Sequence, residues 1–296
     1  MSIIGTERSG TSLTIGLLKA AGYYIEDDFK KPDKFNEKGY GESRRLIEIN
    51  DKVLGMFGGS RDAFPVLSLG WQEDSRLDVL REEAASLIEE MNSHDRWAWK
   101  DPVLTITFPF WKPLLPKNHY VLICFRNPLG SSQSLNRMVK LDTEQSERRW
   151  FISNISAIAN TYGIKRLFIP YEHYFDGTDR QINRISQFLG DSSIIATKEI
   201  ISPDLVHFRP TTQEAMNSTL HLQTKLLYYF LINCFDQDNI LDQLSVAIIR
   251  SQFVQEDSID IMSKDLQLEY YRRIVEHPYV RFGRHIHQLL RRIHLL

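Results

Sequence analysis

The sequence predicts an α/β fold, a mainly parallel central sheet flanked by helices, with a helical C-terminal extension. Three observations predict it. Short apolar runs of strand length, at residues 2–5, 96–99, 120–125 and 167–170, alternate with longer stretches whose apolar residues recur every three or four positions. The run at 120–125 is almost continuously apolar, the pattern of a strand covered on both faces. From about Thr212 the strand-like runs stop and only helical spacing remains. The expected division is therefore an α/β core over 1–210 and a helical region over 211–296, with Pro203 and Pro210 where one pattern gives way to the other.

Each element has its own local reason. Residues 2–5 read as a short buried strand breaking into a glycine-containing loop. Leu13, Leu17, Leu18 and Ala21 then follow helical spacing, and Gly22 suits the stop. Residues 27–41 are polar and rich in Lys, Pro and Gly, hence a loop. Leu46, Ile49, Val53 and Leu54 form a second helical stripe. Leu77, Leu80, Ala84, Leu87 and Ile88 form a third, over 76–91. A strand over 96–99 runs into Lys100-Asp101-Pro102. After the strand at 120–125, Asn127 suits a helix cap and Pro128 its first position. A helix over 143–162, a strand over 167–170 and a helix over 181–189 stopped by Gly190 complete the core.

Composition narrows the function classes. Apolar residues at 42% and charged residues at 25% exclude a disordered or fibrous chain. A formal charge of −2 gives no electrostatic case for nucleic-acid binding. Cys124 and Cys234 each sit in an apolar run and read as buried thiols of a reducing compartment. No secretory pattern is visible, and the best candidate span, 226–235, is too short for a bilayer, so a cytoplasmic location is expected. No cluster of His, Cys or carboxylates has metal spacing, and no metal is expected; His285 and His287 read as part of a solvated helix face. The tail is basic, with Arg272, Arg273, Arg281, Arg284, Arg291 and Arg292. Arg284, Arg291 and Arg292 alternate with Ile286, Leu289, Leu290 and Ile293, an amphipathic helix that could lie on an anionic membrane or dock on its own domain.

The strongest chemical signal is Gly5-Thr6-Glu7-Arg8-Ser9-Gly10-Thr11-Ser12, between a strand and a helix. Such a loop turns backbone N–H groups and the positive end of a helix toward one point, which makes an anion site. Thr11 and Ser12 add hydroxyl donors. The spacing is that of a nucleotide-kinase loop, except that Thr11 stands where the lysine would be and a cation comes earlier, as Arg8. Arg8-Ser9-Gly10-Thr11-Ser12 resembles the 5′-phosphosulfate-binding loop, [KR]-S-G-T-[ST], of sulfotransferases that use 3′-phosphoadenosine 5′-phosphosulfate (PAPS). The bacterial branch commonly writes it G-x-x-R-S-G-T-S, as here. The resemblance implies a P-loop-like sulfotransferase fold over residues 1–210. It also implies PAPS as co-substrate, held by Arg8, Ser9, Gly10, Thr11 and Ser12, and a hydroxyl-bearing acceptor, with carbohydrate favoured.

Two further segments extend it. Arg126 ends the 120–125 strand, and Ser134 lies eight residues on; the family carries an arginine and a serine at that spacing for the nucleotide 3′-phosphate. Tyr171-Glu172-His173 resembles the family's Y-E-D segment, whose tyrosine lines the adenine pocket. Leu13 stands where animal members carry a stacking tryptophan, and their C-terminal R-K-G-x-x-G segment is absent; His207-Phe208-Arg209-Pro210 is a candidate for a replacement cation. For catalysis, Arg8 and Lys100 suit charge on the leaving oxygen. Residues 36–42 resemble the N-x-K-G-[FYW]-x-E element of bacterial relatives. Glu42, expected in an apolar acceptor pocket, is the candidate base, Glu37 the reserve, and Asp101 the group expected to orient Lys100. Two alternatives stay open: an ATP-using kinase-like enzyme, against which Thr11 argues, and a non-catalytic nucleotide-binding module.

Overall fold

Four parallel strands carry the core of the computed structural model, which describes residues 1–28, 40–139, 141–202 and 208–256. They are β1 (Ser2–Ile4), β2 (Trp99–Lys100), β3 (Tyr120–Phe125) and β4 (Lys165–Pro170), in the order β2-β1-β3-β4. Ile3 pairs with Lys100 on one side and Leu122 on the other, and Ile123 pairs with Phe168. A parallel sheet needs cover on both faces. The burial of Ile3, Ile4, Leu122, Ile123, Cys124 and Ile169 reflects that cover. The chain leaves β1 toward β2 and returns to β3 on the opposite side. This order places a topological switch point at the carboxyl ends of β1 and β3, where open α/β sheets bind ligands.

The helices follow local signals. α1 (Thr11–Ala20) begins at Gly10 in the left-handed region, two residues earlier than its apolar stripe indicates, and buries Ile15, Leu17 and Leu18. α2 (Arg44–Met56) is capped by Ser43, whose Oγ accepts from Leu46 N at 3.2 Å. α3 (Asp78–Asn92) follows a turn of 3-10 helix over Ser75–Leu77. α4 (Leu104–Trp111) is a helix where the sequence assigned nothing. α5 (Pro128–Val139) has Pro128 first, and Asn127 Oδ1 accepts from Leu129 N at 3.0 Å. α6 (Thr143–Asn160) opens on a capping box made by Asp142 and Gln145. α7 (His173–Asp176) is one turn, and α8 (Thr178–Leu189) stops at Gly190, whose φ is 66°. Of the strand expected at 96–99, only Trp99 joins the sheet; Trp97 instead bridges Tyr24.

The chain divides into two compact units, Met1–Pro210 and Thr211–Leu296. The described part of the second holds α9 (Thr212–Asn217), α10 (Leu222–Cys234) and α11 (Asp238–Glu256) around Leu227, Phe230, Leu231, Leu241 and Leu244. Both cysteines are free and buried. Among the described residues no helix is long and apolar enough to cross a membrane, and no group of three or more His, Cys, Asp or Glu could hold a metal ion. Glu37, His207, the arginines from Arg272 to Arg292, His285 and His287 lie outside the described residues.

Candidate functional site

The loop after β1 is shaped by close approaches that exclude side chains. Gly5 has φ 150°, and a Cβ there would lie 2.2 Å from the Cys124 carbonyl oxygen on β3. Gly10 has φ 94°, and its Cβ would lie 2.5 Å from Cδ2 of Tyr171. Arg8 itself is left-handed, with φ 63°, a conformation that costs a non-glycine residue about 1–3 kcal/mol and persists where its surroundings over-determine it. Those surroundings are visible. Ser9 Oγ donates to Thr6 O at 2.6 Å, Ser131 Oγ to Glu7 O at 3.3 Å, and Arg126 Nη1 to Arg8 O at 3.2 Å. Arg149 of α6 holds the Glu7 carboxylate, its Nε at 2.8 Å. No side chain caps α1 at Gly10, so its positive end opens toward the loop. Behind α1, Thr14 Oγ1 meets Tyr174 Oη at 2.7 Å and Cys124 Sγ at 3.2 Å.

Two arginines converge here. Arg8 Nε donates to Ser134 Oγ on α5 at 2.8 Å. Arg126, at the end of β3, is only 7% exposed and sits over the Tyr171 ring with its Cζ 4.4 Å from the centroid. Its Nη2 donates to Phe208 O at 2.8 Å, while its Nε is buried without a hydrogen-bond partner. Burial lowers its pKa from the ordinary guanidinium value, and among the described residues no carboxylate forms an ion pair with it. Glu172, nearby, is bonded by Asn127 N at 2.9 Å through one oxygen; its other oxygen has no partner, and burial raises its pKa. Arg126, Arg8, Ser134 and Tyr171 are thus brought together, but Ser134 bonds Arg8, whereas the spacing had paired it with Arg126. Arg209 forms an ion pair with Asp176 at 3.2 Å and lies over the Phe175 ring.

The third cation comes from β2. Lys100 is 2% exposed. Its Nζ donates to Glu42 Oε1 at 2.5 Å, to Tyr40 O at 3.0 Å and to Ser12 Oγ at 3.4 Å. Glu42 therefore sits against an ammonium and not in the apolar pocket expected of it. It lies just before the α2 cap, and three consecutive carboxylates fix that entrance: Asp27 accepts from Gly41 N at 3.1 Å, Glu26 from the Ser43 hydroxyl, and Asp28 from Arg44 N at 2.8 Å. Gly41, with φ 62°, packs so closely on Ile15 of α1 that a Cβ would come within 2.5 Å.

Asp101 does something other than orient Lys100. It is fully buried and accepts from Arg61 Nη1 and Nη2, each at 2.8 Å, from Asn50 Nδ2 at 2.8 Å and from Val103 N at 3.1 Å. Asn50 Oδ1 in turn accepts from Thr107 Oγ1 at 2.7 Å and Trp111 Nε1 at 2.8 Å. Asp101 thereby ties β2 to α2, α4 and the segment carrying Arg61. Sequence reasoning missed Arg61, Asn50, Arg149 and the carboxylates at 26–28. Only the last left a signal, as an acidic run at the end of the first helix–strand unit. Arg8 and Arg126 thus lie at the loop before α1, and Lys100 reaches the start of α1 through Ser12 with the Glu42 carboxylate against it.

No protein-family model and no curated protein matches this chain. Among solved structures, a sulfotransferase domain from the curacin biosynthetic pathway is similar at 14% identity and a TM-score of 0.39, over 76% of this chain and 81% of that one.

Proposed function

We propose that this chain is a sulfotransferase that moves a sulfonate group from PAPS to an acceptor hydroxyl. The observation that carries the reading is the meeting of Lys100 with the Arg8–Ser12 loop, where the lysine contacts Ser12 from a neighbouring strand although the loop itself has none. The residues fit such a donor. Gly10 presents bare backbone beside Tyr171, and Arg126 is a buried cation with an unpartnered Nε and no paired carboxylate among the described residues. In this reading Ser9 to Ser12 and the α1 N-terminus hold the 5′ end of the donor. Arg126 with Arg8 and Ser134 holds the 3′-phosphate, and Tyr171 lines the adenine side.

The donor supplies an activated sulfonate. The acceptor oxygen forms a bond to sulfur as the bridging S–O bond breaks, and the electron pair stays on the 5′-phosphate oxygen, giving adenosine 3′,5′-bisphosphate. Arg8 and Lys100 face that leaving oxygen, and Glu42 takes the hydroxyl proton. A carbohydrate acceptor and a cytoplasmic setting belong to the same proposal; the first rests on the resemblance to bacterial members, the second on two free buried thiols.

Thermal stabilisation by PAPS and adenosine 3′,5′-bisphosphate, with none by ATP, is the expected result; the reverse ranking would overturn the reading. Arg126→Ala should weaken ligands bearing a 3′-phosphate by about 1.5–3 kcal/mol. The same ligands lacking that phosphate should lose little. Equal loss for both kinds would remove Arg126 from the 3′-phosphate site.

A further inference from the structure

The Lys100–Glu42 pair has a consequence for the order in which the site works, and it rests on the donor reading above. Lys100 is nearly inaccessible, and its ammonium is already committed to Glu42 at 2.5 Å, Tyr40 O and Ser12 Oγ. The carboxylate next to it in the chain is no rival, because four donors on Arg61, Asn50 and Val103 occupy Asp101. Glu42 is held in place from behind by the contacts of Asp27, Glu26 and Asp28 with Gly41, Ser43 and Arg44. Within this arrangement one cation and one carboxylate neutralise each other, and the same cation is the one that faces the loop.

We propose that this ion pair is an interlock operated by the donor: the 5′-phosphosulfate draws Lys100 away from Glu42, and only then is the carboxylate free to accept the acceptor's proton. The exchange conserves charge and needs little movement. Nζ already lies between Glu42 and Ser12, and the incoming anion replaces one carboxylate contact with another anionic one. No bond is made or broken in this step. Before the donor arrives, Glu42 is occupied by Lys100; the donor therefore binds before a productive acceptor complex can form. The exchange also has a cost: the donor competes with Glu42 for Lys100, so part of its binding energy goes into separating the pair.

That competition predicts a change in donor affinity where a Glu42 that served only as a base facing the acceptor predicts none. Titration calorimetry without acceptor would compare PAPS and adenosine 3′-monophosphate, which lacks a 5′ anion, on the wild-type chain, Glu42→Gln and Glu42→Asp. PAPS should bind Glu42→Gln more tightly by roughly tenfold, since the competing charge is gone. Adenosine 3′-monophosphate should bind all three chains alike. Glu42→Asp keeps the charge but draws it back from Nζ, and should tighten PAPS by a smaller factor. If Glu42→Gln does not fold, checked by its melting transition, the aspartate variant decides. Unchanged or weaker PAPS binding by a folded variant would overturn the interlock while leaving the sulfotransferase reading intact. Failure of the wild-type chain to bind PAPS would instead remove the sulfotransferase reading, and the interlock with it.

Discussion

Replacing Arg61 by methionine tests how the floor beneath Lys100 is held. In the native chain the guanidinium forks onto both oxygens of Asp101, each at 2.8 Å. Asp101 is 0% exposed, and the Arg61 side chain 28%. The substitution would leave a fully buried carboxylate with two remaining donors, Asn50 Nδ2 and Val103 N. Removing one partner of a buried pair costs about 3–5 kcal/mol. Water can reach the arginine side of this pair, which lowers the figure, while the additional Arg61–Asp51 contact, near the surface, adds about 0–1 kcal/mol. The expected loss is therefore about 2–4 kcal/mol. Urea unfolding followed by tryptophan fluorescence reads it as a shift in midpoint at constant slope. Adding Asp101→Asn removes the buried charge, so the double variant should be much more stable than the sum of the two single losses implies. A loss below about 1 kcal/mol for Arg61→Met, or strict additivity in the double variant, would refute the clamp.

Gly10→Ala should destabilise the core by about 2–5 kcal/mol, combining a left-handed backbone penalty of about 1–2 kcal/mol with overpacking of about 1–3 kcal/mol against Tyr171; a near-native melting curve would show that the loop relaxes without cost. The third prediction concerns acid. His119 is buried, and burial holds its pKa well below the ordinary imidazole value. Trp99 Nε1 donates to Ser2 Oγ at 2.6 Å, which leaves the Ser2 hydroxyl proton for His119 Nε2, 2.8 Å away. The folded state thus prefers the neutral ring, and its contribution is complete above about pH 6.5 and is lost as the pH falls below that, by up to about 1.4 kcal/mol per pH unit. Melting temperatures between pH 7.5 and 5.5 should fall more steeply for the wild-type chain than for His119→Gln; parallel curves would count against it.

The sequence made the sheet legible where apolar runs were continuous. β3 was bounded at both ends because Tyr120 to Phe125 is flanked by polar residues. α4 was not legible: seven of its eight residues are buried, so no polar face marks a helical period, and it contains Thr105, Ile106, Thr107 and Pro109, residue types that disfavour a helix. Its helical state comes from tertiary packing around Trp111 and Asn50. The glycine loop could be read because its backbone shape needs glycine at fixed positions. Which side chains pair across the site could not be, because Lys100 meets Glu42 across 58 residues and Arg61 meets Asp101 across 40. Nothing local distinguishes Asp101 from Glu42 as a partner for Lys100; the choice is made by Arg61, which reaches Asp101 only after folding.

Arg126 also bears on when the site comes into being. Its guanidinium joins Arg8 O, 118 residues upstream, to Phe208 O, 82 residues downstream. The glycine loop leaves the ribosome well before the residue that closes it onto β3 finds its second anchor, near the end of the first unit. At synthesis rates of about 5–20 residues per second, roughly 10–40 s separate the emergence of the loop from that of its last anchor. Contacts this distant in sequence are also the slowest to form. Over that interval the nascent chain carries the loop without its complete Arg126 bracket, which forms only once Phe208 has emerged.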